Sequence, residues 1–277
     1  MRDILAYAGN HQTFTPSLCY AAALAKQFEA RLSALYVQEP ITYLPTYAAI
    51  GLVAEIARFT EEEVEAARQN GARFTRWASD RGVAENDWMV VEGALKPVLA
   101  EICNWHDLLV LGVGGDSGWG SVGRVGELLL SCGAPCVVVP ERSAIPTSEA
   151  RLASIAVAWN GSPESVRVIH AALPLLARAD RVTLIDGETV DPTANLVRFS
   201  PMRIEPYLAR HGVKVVRRRL EVGGDEAGAA LLAAAHEAQA DLLVMGAYGK
   251  SRFSEWLLGG ATRHVLEYAT LPLFMRH

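Results

Sequence analysis

The chain has 277 residues, a formal net charge of −5, a sequence pI near 5.8 and 51% hydrophobic residues. This length suits two domains of ordinary size, and the apolar fraction is sufficient to bury a core in each. The acidic balance argues against nucleic acid or an anionic membrane as a partner, because both require a basic face. No apolar stretch reaches the roughly 18 residues of a membrane span, and the N-terminus lacks a secretion-signal pattern. We therefore expect a cytoplasmic protein.

Short apolar runs alternate with helical periodicity along the first half of the chain. Thr15 and Pro16 have the order of an N-cap followed by proline at the first helical position. The acidic run at residues 61–65 is typical of a solvated helix face. The predicted strands are residues 3–8, 31–37, 87–92, 108–111 and 135–139, and helices are predicted after Thr15 and over 51–79 and 96–104.

The second half repeats the first. Residues 106–112 return as residues 240–246, and residues 4–8 return as residues 155–159. We predict domains at 1–143 (the first repeat) and 152–277 (the second repeat), joined by a linker at 144–151. Alternating strands and helices predict an α/β fold, with two tandem copies of a five-stranded, mostly parallel sheet flanked by helices. Ligands of such sheets bind beyond the carboxyl ends of the strands, where the strand order switches.

A glycine-rich loop follows the predicted strand at 242–245. Its order is G-x2-G-x9-G-G-x-T, formed by Gly246, Gly249, Gly259, Gly260 and Thr262. Glycines let a ligand approach the backbone, and N–H groups at a helix start bind anions, so the pattern indicates a phosphate site. A Walker A loop is excluded because its first glycine would have to stand where the chain has valine.

This loop resembles the ATP-binding signature of the universal stress protein family, G-x2-G-x9-G-[ST], with Gly260 in place of the hydroxyl residue. Residues 156–162 resemble that family's opening V-A-x-D-G-S, with Asn160 in place of aspartate, and residues 184–186 resemble its second strand. The resemblance covers nearly the whole chain. It implies a Rossmann-like fold of the adenine-nucleotide α-hydrolase type and a stress-response regulator.

The resemblance also implies which residues surround an adenine nucleotide in the second repeat. The ligand is ATP, or AMP or ADP, with or without Mg²⁺, and it is bound rather than turned over. We predict no catalytic residues and no resident metal. The residues implied for nucleotide binding are Asn160, Gly161, Ile185, Met245, Gly246, Gly249, Lys250, Ser251, Gly259, Gly260, Ala261 and Thr262.

The first repeat departs further from the signature. If Gly112 and Gly115 are matched to Gly246 and Gly249, the rest of its loop is three residues shorter. Asp116 also places a negative charge where a phosphate would arrive. We expect this site to be degenerate for nucleotide.

The four cysteines, at 19, 103, 132 and 136, are predicted to be small buried hydrophobes. Cys132 and Cys136 invite comparison with a metal or redox pair, but no second pair or nearby histidine completes a zinc set.

Two other functions remain open. One is a nucleotide-free protein-interaction module, favoured by Gly260 and Asn160, and the other is a weak ATPase that depends on Lys250 or Ser251. The resemblance further implies that terminal strands at 137–139 and 273–275 pair, which would give an intramolecular pseudo-dimer. A further exposed edge would allow a homodimer.

Overall fold

The computed structural model describes residues 1–40, 50–114, 120–143, 149–187, 204–220, 226–247 and 260–277. Strands and helices alternate throughout these residues, as the sequence predicts. In the first repeat the strands are β1 (Asp3–Tyr7), β2 (Arg31–Gln38), β3 (Asn86–Glu92), β4 (Leu108–Val113) and β5 (Cys136–Pro140). The helices are α1 (Pro16–Phe28), α2 (Ile50–Gln69), α3 (Gly71–Asp80), α4 (Leu95–Ile102) and α5 (Val122–Ser131).

The second repeat has the same order of strands. They are β6 (Ser154–Trp159), β7 (Arg181–Gly187), β8 (Val215–Leu220), β9 (Leu242–Gly246) and β10 (Leu273–Arg276). The helices are α6 (Pro163–Leu176), α7 (Ile204–Arg210), α8 (Ala227–Glu237) and α9 (Gly260–Tyr268).

The chain forms two compact units. Unit 1 contains residues 1–134 and 147–150, and unit 2 contains residues 135–146 and 151–277. The strand β5 belongs to the first repeat by sequence but to unit 2 by contacts. The predicted boundaries at 143 and 152 follow the sequence repeat rather than the compact units, and they stay a prediction.

In unit 1 the strand order is β3-β2-β1-β4, and every neighbouring pair is parallel. In unit 2 the order is β5-β10-β9-β6-β7-β8, parallel except between β5 and β10. The antiparallel pair places Leu273 opposite Val138 and Phe274 opposite Val137. These are the strands whose pairing the family resemblance implied, while association of the two repeats as a pseudo-dimer and of two chains as a homodimer stays a prediction.

The central strands are buried on both faces because helices cover them. The side chains of Ile4 and Leu5 in β1 and of Leu242 and Leu243 in β9 are fully buried. Continuous apolar runs of this kind are typical of parallel strands. Thr15 caps α1 as predicted, accepting a hydrogen bond from Leu18 N at 3.4 Å.

One predicted element is divided. The helix predicted over residues 51–79 is two helices, α2 and α3, which meet at Asn70. The Asn70 side chain donates to the backbone carbonyl of His11 at 2.5 Å, so a contact distant in sequence holds the junction. Asparagine followed by glycine is a weak helical pair, but the apolar periodicity runs through both helices and conceals the break.

Candidate functional site

The strand order of unit 2 switches at β6. From β6 the chain proceeds outward to β7 and β8, and it then crosses to the other side of β6 to form β9. In the sheet register Val157 lies opposite Val244, and Ala158 lies opposite Ile185. The loops after β6 and β9 therefore leave the same edge of the sheet at a switch point, where α/β folds bind ligands.

The turn after β6 is held by its own side chains. Asn160 Oδ1 accepts a hydrogen bond from Ser162 N at 3.0 Å, and Gly161 has φ +73°, a left-handed conformation that favours glycine. Ser162 then caps α6, its Oγ accepting from Ser165 N at 3.2 Å. The oxygen of Asn160 thus has a structural role, and its amide nitrogen is the group with hydrogen atoms to offer a ligand.

Gly246, at the end of β9, lies directly against the first turn of α6. A Cβ atom built on Gly246 would stand 2.8 Å from the backbone carbon of Glu164 and 2.9 Å from Ser165 N. Close packing of strand on helix therefore requires glycine here, whatever the ligand. A larger side chain at 246 would displace α6, so Gly246→Val is unsuitable as a test of phosphate approach.

The root of the glycine-rich loop is fixed by the last residues of the chain. Ala247 N donates to the carbonyl of Arg276 at 2.9 Å, and Ala247 O lies 3.2 Å from His277 Nδ1. Met245 is 5% exposed and belongs to the core. The predicted residues Gly249, Lys250, Ser251 and Gly259 lie outside the described part of the chain.

The described chain resumes at the start of α9, where three of the predicted residues lie. Gly260 is exposed, and a Cβ atom added to it would meet nothing within 4 Å. Ala261 is half-buried. Thr262 is buried, with 6% of its surface exposed.

The end of β7 carries an ionic cluster beside Ile185, one of the residues implied for nucleotide binding, whose side chain is buried. The carboxylate of Asp186, 9% exposed, accepts from Arg217 Nε at 3.0 Å and from Arg217 Nη2. Arg217 also contacts Glu205 at 3.3 Å. The hydrogen bond and the charge of Asp186 raise the pKa of the Arg217 guanidinium, so Arg217 stays positively charged beside the carboxylate.

The sequence analysis missed an acidic side chain next to Gly246. Glu164 lies in the first turn of α6, with Oε1 3.7 Å from Arg167 Nη1. Its Oε2 atom is buried and has no hydrogen-bond partner among the described residues. Acidic residues are common in the first turn of a helix, because they interact favourably with the helix dipole. The sequence alone therefore gives no reason to assign Glu164 to a site.

The corresponding edge of unit 1 carries two ion pairs. His11 Nε2 lies 3.0 Å from Glu63 Oε2, and Arg124 Nη2 lies 3.0 Å from Glu39 Oε2. Glu63 comes from the acidic run that was predicted to face solvent, and it is half-buried instead. Burial and the charge of Glu63 both raise the pKa of Tyr36 in this cluster.

The two described ends of the first glycine loop are joined by a backbone hydrogen bond. Gly114 N donates to the carbonyl oxygen of Gly120 at 2.9 Å, and a Cβ atom built on Gly120 would stand 2.5 Å from the carbonyl oxygen of Gly114. Asp116 lies outside the described residues.

Two further observations limit the chemistry. Among the described residues, no group of three or more histidine, cysteine, aspartate or glutamate side chains is arranged to hold a metal ion. Within the same part of the chain, no helix is both long and apolar enough to cross a lipid bilayer.

The sequence profile of the universal stress protein family matches residues 1–140 and, a second time, residues 152–276. The chain belongs to the universal stress protein family. Its two matched segments coincide with the two repeats, so it is a tandem member with two α/β copies. Universal stress protein Slr1230 of Synechocystis sp. is similar to this universal stress protein at 23% identity, over 99% of each chain.

Solved structures of other universal stress proteins share the fold. A universal stress protein from Archaeoglobus fulgidus superposes with a TM-score of 0.68 at 16% identity, over 99% of this chain and 96% of that one. A putative universal stress protein from Pseudomonas aeruginosa gives a TM-score of 0.59 at 14% identity, over 100% and 93% of the two chains. Family membership supports a stress-response role for this universal stress protein.

Proposed function

We propose that this protein is a cytoplasmic stress-response regulator whose second repeat binds one adenine nucleotide, ATP or its AMP or ADP relative, as a signalling ligand. The observation that carries the proposal is the switch point of unit 2. There the turn at Asn160 and the glycine-rich loop that begins at Gly246 leave one edge of the sheet.

The backbone geometry at this edge supports an anion site. Gly246 brings β9 against the first turn of α6, so the amino end of that helix lies beside the residue at which the signature sequence begins. A helix N-terminus attracts negative charge, and glycines expose their N–H groups. Gly260 adds an exposed N–H position at the start of α9 with open space beside it.

Glu164 makes a bound cation favourable in this proposal. Its carboxylate lies in the same first turn of α6, and a triphosphate beside it would face a like charge. Magnesium bound to the phosphates would offset that repulsion, and a carboxylate is a suitable outer-sphere partner for hydrated Mg²⁺. We therefore expect ATP to bind more tightly with Mg²⁺ than with a chelator present.

Binding rather than catalysis is proposed because acidic side chains at this edge contact arginines: Glu164 contacts Arg167, and Asp186 contacts Arg217. Binding would act by favouring the conformation of the protein that holds the ligand best.

The first repeat is proposed to carry no nucleotide. A hydrogen bond joins Gly114 and Gly120 at the two ends of its glycine loop, and the acids Glu39 and Glu63 belong to the polar cluster at the ends of β1 and β2. Negative groups at that position disfavour phosphate.

The test is thermal unfolding of purified protein with and without excess ATP and Mg²⁺, after any nucleotide that co-purifies has been extracted and identified. A ligand at about 100 times its Kd stabilises the folded state by about 2.7 kcal/mol, which is roughly 5–10 °C for a domain of this size. The proposal predicts a shift of that order. An unchanged unfolding temperature, together with no extracted nucleotide, would favour the nucleotide-free interaction module. The hydrogen bond from Ser162 N to the side-chain oxygen of Asn160 fits that alternative, because it gives Asn160 a structural role without a ligand.

A further inference from the structure

Two cysteines that are far apart in the sequence meet in unit 1. Cys103 begins the short 3-10 turn Cys103–Trp105 after α4, and Cys132 ends α5. The two side chains share a hydrogen bond. Neither cysteine forms a disulfide in this structure, and Cys103 Sγ also lies 3.6 Å from the backbone carbonyl oxygen of Ala100.

The backbone around the two thiols is closely packed. A Cβ atom on Gly133 would stand 3.2 Å from Asn104 Oδ1, so the segments that follow the two helices touch beside the sulfur atoms. Backbone N–H groups of Gly133 and Ala134 are within hydrogen-bonding reach of Cys103 Sγ. Cys103 is fully buried and Cys132 is 8% exposed, so a molecule as small as hydrogen peroxide would have to approach Cys103 from the side of Cys132.

These donors favour the thiolate form of Cys103. The hydrogen bond from Cys132, and then those from the two backbone N–H groups, lower the pKa of Cys103 to about 6, although burial opposes them. The thiolate is the reactive form of cysteine, so these contacts favour reaction at Cys103. Cys19 differs, because burial raises the pKa of its thiol.

We propose that Cys103 and Cys132 form a redox-active dithiol that is oxidised to an intramolecular disulfide by peroxide. The assignment rests on the contact of the two side chains and on the donors that surround Cys103. It is independent of nucleotide binding in unit 2.

The chemistry proceeds in two steps. The Cys103 thiolate attacks one oxygen of hydrogen peroxide, the O–O bond breaks, and hydroxide leaves, giving the sulfenic acid of Cys103. The Cys132 sulfur then attacks Cys103 Sγ and the S–O bond breaks. The thiol proton of Cys132 leaves with the oxygen as water, and the S–S bond forms. In sum, two thiols and one peroxide give one disulfide and two waters.

The disulfide would close a loop of about 30 residues that contains β4, the first glycine loop and α5. Loop closure restricts the unfolded chain, so the oxidised protein is expected to unfold at a higher temperature, by roughly 5–10 °C. Both cysteines lie in unit 1, and the cross-link would tie the end of α4 to the end of α5.

The experiment is peroxide titration of the full chain, followed by thiol blocking, digestion with trypsin without reduction, and mass spectrometry. The expected product joins the peptide at 82–124 to the peptide at 125–142. Since Cys132 and Cys136 share the second peptide, the same mapping is carried out in Cys136→Ala. We expect the link to persist there, to be absent from Cys132→Ala, and to leave Cys19 as a thiol.

A second measurement separates a reactive pair from a merely buried one. In Cys132→Ser the hydroxyl still donates to Cys103 but cannot form a disulfide, so peroxide should leave a sulfenic acid on Cys103 that dimedone traps. In Cys132→Ala that donor is lost, and the midpoint pH for alkylation of Cys103 should rise from about 6 toward its ordinary value. Four thiols per wild-type chain after peroxide, or a link that maps to Cys136, would overturn the proposal.

Discussion

Gly260 is the residue at which the chain departs from the family signature, and its surroundings leave room for the missing hydroxyl. A Cβ atom there meets nothing within 4 Å, and the residue opens α9. We predict that Gly260→Ser binds ATP roughly threefold to tenfold more tightly, because its hydroxyl adds one charge-assisted hydrogen bond to phosphate. The affinities are measured by calorimetric titration.

The matched control is Gly260→Ala, which adds the same Cβ atom without the hydroxyl. We expect its ATP affinity to stay near that of the wild type. If both variants bind alike, position 260 does not contact phosphate, and the assignment of the signature glycines in this chain is wrong.

The residues that the sequence analysis missed share one physical reason. Glu164 and Glu63 are acids on helices, and only the fold decides whether such a side chain faces water, a strand end or another residue. Cys103 and Cys132 meet because α4 and α5 end together, a contact that no local pattern encodes. Asn160 was predictable as a turn residue, but its hydrogen bond to Ser162 N was not.

Elements with buried apolar runs were predictable from sequence to within two residues. The strands β1 and β9 are examples, because both faces are covered and the apolar run is continuous. The strand β8 was not located, because its sequence, VVRRRL, has three adjacent arginines and no apolar run. It lies at the end of the strand order, where charged residues protect an exposed edge.

Two arginines of β8 form ion pairs whose acidic partners differ in burial. Arg217 contacts Asp186, whose side chain is 13% exposed, whereas Arg218 contacts Glu237, whose side chain is 63% exposed. We predict that Arg217→Met lowers the free energy of unfolding by about 1–3 kcal/mol, because it leaves a mostly buried carboxylate without its cation. Arg218→Met should change it by less than about 1 kcal/mol.

Urea unfolding of the two variants at neutral pH checks this prediction, since methionine keeps most of the apolar stem of arginine. Equal losses from both variants would show that the cluster at Asp186 is as weakly coupled to folding as a surface pair.

At the scale of the whole molecule, ionisation of the buried Tyr7 lowers the free energy of unfolding at alkaline pH. Burial, and then the charges of Glu39 and Tyr36, raise the pKa of Tyr7 well above its ordinary value, while Arg124 lowers it. Above pH 10 the unfolded state therefore loses the phenolic proton while the folded state keeps it, so the free energy of unfolding falls as pH rises.

We predict that Tyr7→Phe flattens this alkaline decline. The wild-type free energy of unfolding should fall more steeply between pH 10 and 11 than that of the variant, by up to about 1.4 kcal/mol per pH unit for one proton. Tyr268→Phe, which alters an exposed ring, should follow the wild type. The curves are measured by urea unfolding across this pH range. Parallel curves for wild type and Tyr7→Phe would show that Tyr7 does not cause the alkaline loss of stability.

The whole molecule carries two copies of one fold, and the proposed function assigns nucleotide to one of them. The most direct measurement of that assignment is the stoichiometry of ATP binding in the presence of Mg²⁺, determined by calorimetric titration of nucleotide-free protein. We predict that one ATP binds to each chain. Two equivalents would contradict the claim that the first repeat is closed to nucleotide, and no binding at all would contradict the proposed function.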